Sequence, residues 1–333
     1  METLELLQVT WFVLIGLLLI GYSILDGFDL GVGSLLPFLA KKEGDKKALF
    51  NAIGPFWDGN EVWLITGGAA LFSAFPQAYA TVFSGFYLAF VIVLFSLIFR
   101  AVSLEFWGLD ERRRGFWEWS FTIGSLLPSL LYGIALGNVI SGVPLDGSME
   151  YKGGFFTLLR PFPLSLGLLG LVAILMQGTT FSAMKLIGEI QERARRITYR
   201  LQRVYIMLLI LSFVLACIYI PGTISNLLAW ISLLVTLVSW VGIRFFMNRG
   251  KDALAFYMSS LAFLGLWGIV GSIHFPNLVK ASNDPSLSLT IYNASSGALT
   301  LKVMFVIALI GLPVVIGYTI YVYRVFKGKM EGY

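Results

Sequence analysis

The chain carries one long, almost uncharged apolar run after another, and about 20 such residues are enough to cross the hydrocarbon core of a bilayer. Runs bounded by charge or by Pro/Gly clusters fall at about 9–40, 52–75, 79–100, 116–141, 161–186, 203–220, 223–246, 253–275 and 299–324. A soluble core cannot absorb so many. The chain is 57% hydrophobic and 13% charged, against roughly a quarter charged in soluble domains. In lipid, every backbone N–H and C=O must be satisfied inside the protein, and runs of this length do so as helices. The expectation is an all-α integral membrane protein of nine spans, one integral domain over residues 1–333. The first run is read as a permanent span, because Glu2 and Glu5 stand where a signal peptide would be basic and the run outlasts a signal's apolar stretch.

The narrowest separation lies between the sixth and seventh runs, where only "IPGTISN" intervenes and Pro221-Gly222 reads as a tight turn. Basic residues support nine spans over eight. Lys41, Lys42, Lys46 and Lys47, then Arg100 and Arg112 to Arg114, then the clusters from Lys185 to Arg203, Arg244 to Lys251 and Arg324 to Lys329, all fall on one side of a nine-span chain. Only Lys152, Arg160, Lys280 and Lys302 fall on the other. By the positive-inside rule the odd loops and the C-terminus are cytoplasmic and the N-terminus is outside. The basic excess is therefore read as topology and not as a nucleic-acid surface. The outward loops, about 142–160 and 276–298, are too short to be modules of their own.

Scarcity narrows the chemistry. A lone cysteine, Cys217, excludes an internal disulfide and CxxC motifs. The one histidine, His274, stands at the outward end of the eighth span, and haem iron is usually held by His, Cys, Met or Tyr, so no multihaem or metal centre is expected in this chain. Gly31-Val32-Gly33 resembles the start of a nucleotide loop, but Leu36 replaces the third glycine and no strand–helix–strand context surrounds it. Gly27/Gly31 and Gly133/Gly137 read instead as small-residue contacts between helices.

Membrane carboxylates are the informative residues, because an ionisable group in a span is costly and usually marks an ion or proton path. Asp26 and Asp29 lie three apart on the first span, Asp58 and Glu61 three apart on the second. With a turn near Gly44, antiparallel helices bring the two pairs to a similar depth on the cytoplasmic side. Crowded carboxylates disfavour one another's ionisation, so the reading is a proton-entry path in which Asp58 leads, Glu61 is its relay or its neutralised neighbour, and Asp29 and Asp26 are further candidates. The competing reading is pairing with Arg100, or capping where Gly27, Gly31 and Gly33 would break the helix. Trp57 and Trp63 flank the acids as packing or interface residues.

"DGFDLGVG" (Asp26 to Gly33), "WDGNEVWLITGGAALF" (Trp57 to Phe72) and "FSGFYLAF" (Phe83 to Phe90) resemble the signature of subunit II of the cytochrome bd quinol oxidases. The likeness continues through "IGSLLP", "GNVISGVP", "QGTTF" and "NASSGALTLKVM", in order over nearly the whole chain. The resemblance implies nine transmembrane helices, as two four-helix bundles and one peripheral helix, in a prokaryotic cytoplasmic membrane. It implies pairing with a larger subunit I that holds haems b558, b595 and d and oxidises quinol, while oxygen is reduced to water with protons from the cytoplasm. The isolated chain is then a subunit and not itself catalytic. Asp58 matches an acid of a proton path and Trp63 a residue lining an oxygen path in some members. A structurally bound quinone or lipid and a small accessory subunit are further partners the resemblance allows. Glu61 replaces a glutamine of some relatives, and the connection between spans six and seven lacks the long insertion of others. A proton-coupled transporter and a purely structural subunit are the rival readings.

Overall fold

In the computed structural model the described residues are 2–329 except 221, 223 and 224. Among them the chain forms eleven α-helices: α1 (Glu2–Leu39), α2 (Glu43–Ile53), α3 (Trp57–Ala74), α4 (Pro76–Gly85), α5 (Tyr87–Phe106), α6 (Arg114–Ser141), α7 (Pro161–Lys185), α8 (Glu189–Tyr219), α9 (Leu227–Met247), α10 (Asp252–His274) and α11 (Ala298–Val325). The protein is an all-α integral membrane protein. Eight helices, α1 and α5 to α11, are long and apolar enough to cross a membrane. The expected second span, α3, is not among them, because its 18 residues include Asp58, Asn60 and Glu61.

The first hairpin departs from a simple turn near Gly44. Gly44 lies inside α2, which starts where the Asp45 carboxylate accepts the backbone N–H groups of Lys41 and Lys42 at 3.0 and 3.3 Å, satisfying donors that a helix start leaves open. Its apolar face, including Leu49, Phe50 and Ile53, is buried. Pro55 then interrupts the helix before α3 begins. The expected third span is likewise divided. Pro76, pre-set for the first helical position, starts the short α4, and a break at Phe86 separates it from α5. The sixth and seventh runs are separate helices, as expected, although Pro221 of their turn lies outside the described residues. Reciprocal hydrogen bonds between Gln202 and Trp240 hold α8 and α9 antiparallel: each side chain donates to the other's backbone oxygen, at 2.9 and 3.0 Å.

Helix α1 is the axis of the packing, in contact with α3, α6, α7 and α10. It runs unbroken through Gly27, Gly31 and Gly33, so these glycines do not open a cap for Asp26. Gly31 brings α1 and α7 together: a Cβ on it would strike the backbone of Ile174 and Gly178, and one on Gly178 would strike Gly31 in return, whereas Gly27, expected as the other half of the close contact, has room for a Cβ, its nearest neighbours being 3.9 Å away. Small residues permit this approach where lipid supplies no hydrophobic drive between helices. At the opposite end from most of the basic residues, a two-stranded pair, β1 (Asn277–Val279) and β2 (Leu289–Thr290), joins the loop after α6 through hydrogen bonds between Val143 and the backbone of Lys280 and Ser282.

Candidate functional site

Three helices bring charge together inside the protein. Asp26 and Asp29 leave one face of α1, as their spacing requires, Glu61 comes from the second turn of α3, and Arg100 reaches in from α5. The Arg100 Nη2 donates to Asp26 Oδ1 at 2.5 Å and its Nη1 to Asp26 Oδ2 at 3.0 Å, a two-pronged pair. The same Nη1 donates to Glu61 Oε1 at 2.9 Å, and Asp29 Oδ2 stands 4.0 Å from Nη2. Asp26, Asp29 and Arg100 are wholly buried, whereas the Glu61 side chain keeps 22% of its surface exposed. Glu61 is the open end of the cluster.

Polar side chains surround these charges. Asn60 Nδ2 donates to Asp29 Oδ2 at 2.7 Å and to the Leu25 carbonyl at 3.2 Å, while Tyr323 of α11 donates its hydroxyl to Asn60 Oδ1 at 3.2 Å. Asp29 Oδ1 and Arg100 Nε make no hydrogen bond with a described residue. One turn before Asp26, the hydroxyl of Tyr22 lies 3.1 Å from that of Tyr132. Beyond the tyrosine pair opens an apolar cavity of about 380 Å³, edged by Ser23, Phe90, Leu166 and Trp267. One cation thus faces three carboxyl groups in a water-poor interior, which is an arrangement able to hold and pass a proton.

Pairing with Arg100 is therefore the arrangement found for Asp26, Asp29 and Glu61. Asp58 is not brought into the cluster. It lies exposed in the first turn of α3, and the residues level with Asp29 and Arg100 are Asn60 and Glu61. The difference comes from α2 and the Pro55 break, which set the phase at which α3 begins. Trp63 packs at the crossing of α1 and α3, where a Cβ on Gly21 would strike its ring. Asn60, Tyr22, Tyr132 and Tyr323 do not stand out in the sequence as site residues. A signal existed for two of them: Asn60 is a polar residue between the two acids, and Tyr22 lies four residues, one helical turn, before Asp26.

Residues 7–326 match the family model of the cytochrome bd terminal oxidase subunit II. The chain belongs to this family. It is 35% identical to the Escherichia coli K12 protein named cytochrome bd-I ubiquinol oxidase subunit 2, over 98% of this chain and 96% of that one. It is 34% identical to the Bacillus subtilis cytochrome bd ubiquinol oxidase subunit 2, over 96% of each. The fold agrees with a chain in the structure of bd oxidase from Geobacillus thermodenitrificans, with a TM-score of 0.82 at 20% identity, covering 96% of this chain and 98% of that one. Membership of this family displaces the transporter reading.

His274 points its Nε2 at the Leu278 carbonyl, 3.1 Å away, and Cys217 is the single thiol. Among the described residues no group of three or more His, Cys, Asp or Glu side chains converges as a metal site.

Proposed function

We propose that this chain is the haem-free subunit of a cytochrome bd-type quinol:oxygen oxidoreductase, holding the haem-carrying subunit I in the membrane and supplying part of the path by which protons reach the oxygen chemistry. On this reading haems b558, b595 and d and the quinol site belong to subunit I, and the isolated chain is not catalytic. The chain acts as one integral domain in a bacterial cytoplasmic membrane, and α3 is its ninth crossing, completing two four-helix bundles and a peripheral helix. The skewed distribution of Lys and Arg supports a cytoplasmic C-terminus and an outward N-terminus.

The observation that carries the proton role is the cluster of three carboxyl groups around Arg100 with Glu61 at its open end. Fully ionised, it would bury a net negative charge at membrane depth, so protons as well as Arg100 must balance it. Asp58 stands one turn before Glu61 on the exposed flank of α3. A carboxylate at that depth is poorly accommodated by hydrocarbon, which supports a protein-facing flank where subunit I meets α3 and Asp58 hands protons onward. The oxygen-path role of Trp63 rests on the family resemblance alone, as do a bound quinone and an accessory subunit.

The test is quinol oxidase turnover and proton uptake of the assembled complex carrying Asp58→Asn or Glu61→Gln. Asp58→Asn is expected to lower turnover about tenfold or more while leaving haem absorption unchanged, and Glu61→Gln, at a position where the family resemblance admits glutamine, to lower it less. Wild-type turnover in both fully assembled variants would reduce the chain to a structural subunit.

A further inference from the structure

The first four turns of α8 carry arginines with unequal fates. Arg193 is bound to Asp45 and to the Leu39 carbonyl, and Arg195 to Asp252 and Glu192. Arg196, Arg200 and Arg203 are exposed, and none of them forms an ion pair with a described residue. Their spacing of four and three residues puts them on one face of the helix. The same face continues as Met207, Ile210, Val214 and Ile218, which are 49% to 68% exposed. A row of unpaired cations thus runs directly into a row of bare apolar side chains.

Helix α9 extends both halves. Its Arg244 is exposed, with the guanidinium 5.3 Å from the centre of the Tyr199 ring, and Tyr199 donates its hydroxyl to Asn248 at 2.7 Å. Higher up, Val241, Val238 and Leu234 are 56% to 61% exposed. Trp240, level with Gln202, stands near the change from charged to apolar surface, the level that amphipathic aromatics favour at a membrane interface, while Tyr199 lies among the arginines. A soluble anion would find only the basic half. The continuity of the two halves selects an anionic amphiphile.

We propose that this flank of α8 and α9 is a binding site for an anionic phospholipid. Its phosphate lies among Arg200, Arg203 and Arg244, with Arg196 adding charge from one turn away, and its acyl chains lie along Met207, Ile210 and Val238. Arginine suits the headgroup because its planar fork can bond two phosphate oxygens at once, and each basic residue near the surface strengthens attraction to anionic lipid. The site requires only that the chain lies in a membrane. It is independent of the proton path.

Native mass spectrometry of the detergent-solubilised, assembled complex tests it, by titration with phosphatidylglycerol and, separately, phosphatidylcholine. Wild type should take up one phosphatidylglycerol at a concentration about tenfold or more below that needed for phosphatidylcholine, and raising ammonium acetate from about 0.05 to about 0.5 M should erode that preference. Arg200→Gln/Arg203→Gln/Arg244→Gln should abolish it, whereas Arg112→Gln/Arg113→Gln, which removes exposed cations from the α5–α6 connection instead, should keep it. Glycerol phosphate, which lacks acyl chains, should not compete at matching concentration. The proposal fails if wild type does not discriminate, if the triple variant discriminates as well as wild type, if the control variant loses as much, or if glycerol phosphate competes equally. Should the triple variant not assemble, the wild-type preference and its salt dependence decide the matter.

Discussion

Replacing Arg100 by glutamine removes the one cation that serves Asp26, Asp29 and Glu61. Asp26 loses two hydrogen bonds, at 2.5 and 3.0 Å, and is left fully buried with Asp29 beside it. Removing one partner of a buried pair costs about 3–5 kcal/mol, chiefly because the remaining charge is stranded. At ~1.4 kcal/mol per factor of ten, that lowers the folded-to-unfolded ratio by roughly two to three and a half orders of magnitude. The Arg100 contacts are not equivalent, and a double-mutant cycle separates them. The coupling between Arg100→Gln and Asp26→Asn should reach about 3 kcal/mol. That between Arg100→Gln and Glu61→Gln should be closer to ~1 kcal/mol, because the 22% of Glu61 left exposed lets solvent compensate. Equilibrium unfolding of the purified complex by graded replacement of mild detergent with dodecyl sulfate, followed by tryptophan fluorescence, measures all four corners of each cycle. An Arg100→Gln variant within ~1 kcal/mol of wild type, or an Asp26→Asn background that leaves its cost undiminished, would refute the account of the cluster as a buried charge balance.

Two further outcomes are expected from the same unfolding measurement. Gly31→Ala drives a Cβ into the backbone of Ile174 and Gly178 and should cost about 1–3 kcal/mol as an overpacked contact, while Gly16→Ala, with nothing within 4 Å of the added carbon, should be neutral or stabilising by up to ~1 kcal/mol. Asn60→Leu takes the donor from buried Asp29 and should cost about 1–3 kcal/mol, whereas Tyr323→Phe frees only the amide oxygen of Asn60 and should cost ~1 kcal/mol or less; equal losses in the two variants would contradict the assigned order of contacts.

The sequence alone determined the solvent. Runs of about 20 apolar residues admit helices and little else in a bilayer, so most helices fall close to their expected bounds: α7 at Pro161–Lys185 against 161–186, and α11 at Ala298–Val325 against 299–324. It also marked Asp26, Asp29, Asp58 and Glu61 as costly groups, with Arg100 as a partner in the competing reading, since burying a charge is unfavourable whatever the neighbours turn out to be. Which acid meets the arginine was decided by tertiary structure. Asp58 and Glu61 are equivalent in residue class and lie within one turn, yet a short amphipathic helix, a proline break and the depth of α3 turn Glu61 inward and leave Asp58 on the flank. The run at 52–75 is expected from the sequence as a span, yet α3 is less apolar than the eight candidate helices, and its Asn60 and Glu61 are met by Arg100, Asp29 and Tyr323 from other helices. A window along the chain measures transfer of each residue into hydrocarbon. The environment these residues occupy is set by side chains 31 to 263 positions away, brought within hydrogen-bonding distance only when α1, α3, α5 and α11 pack.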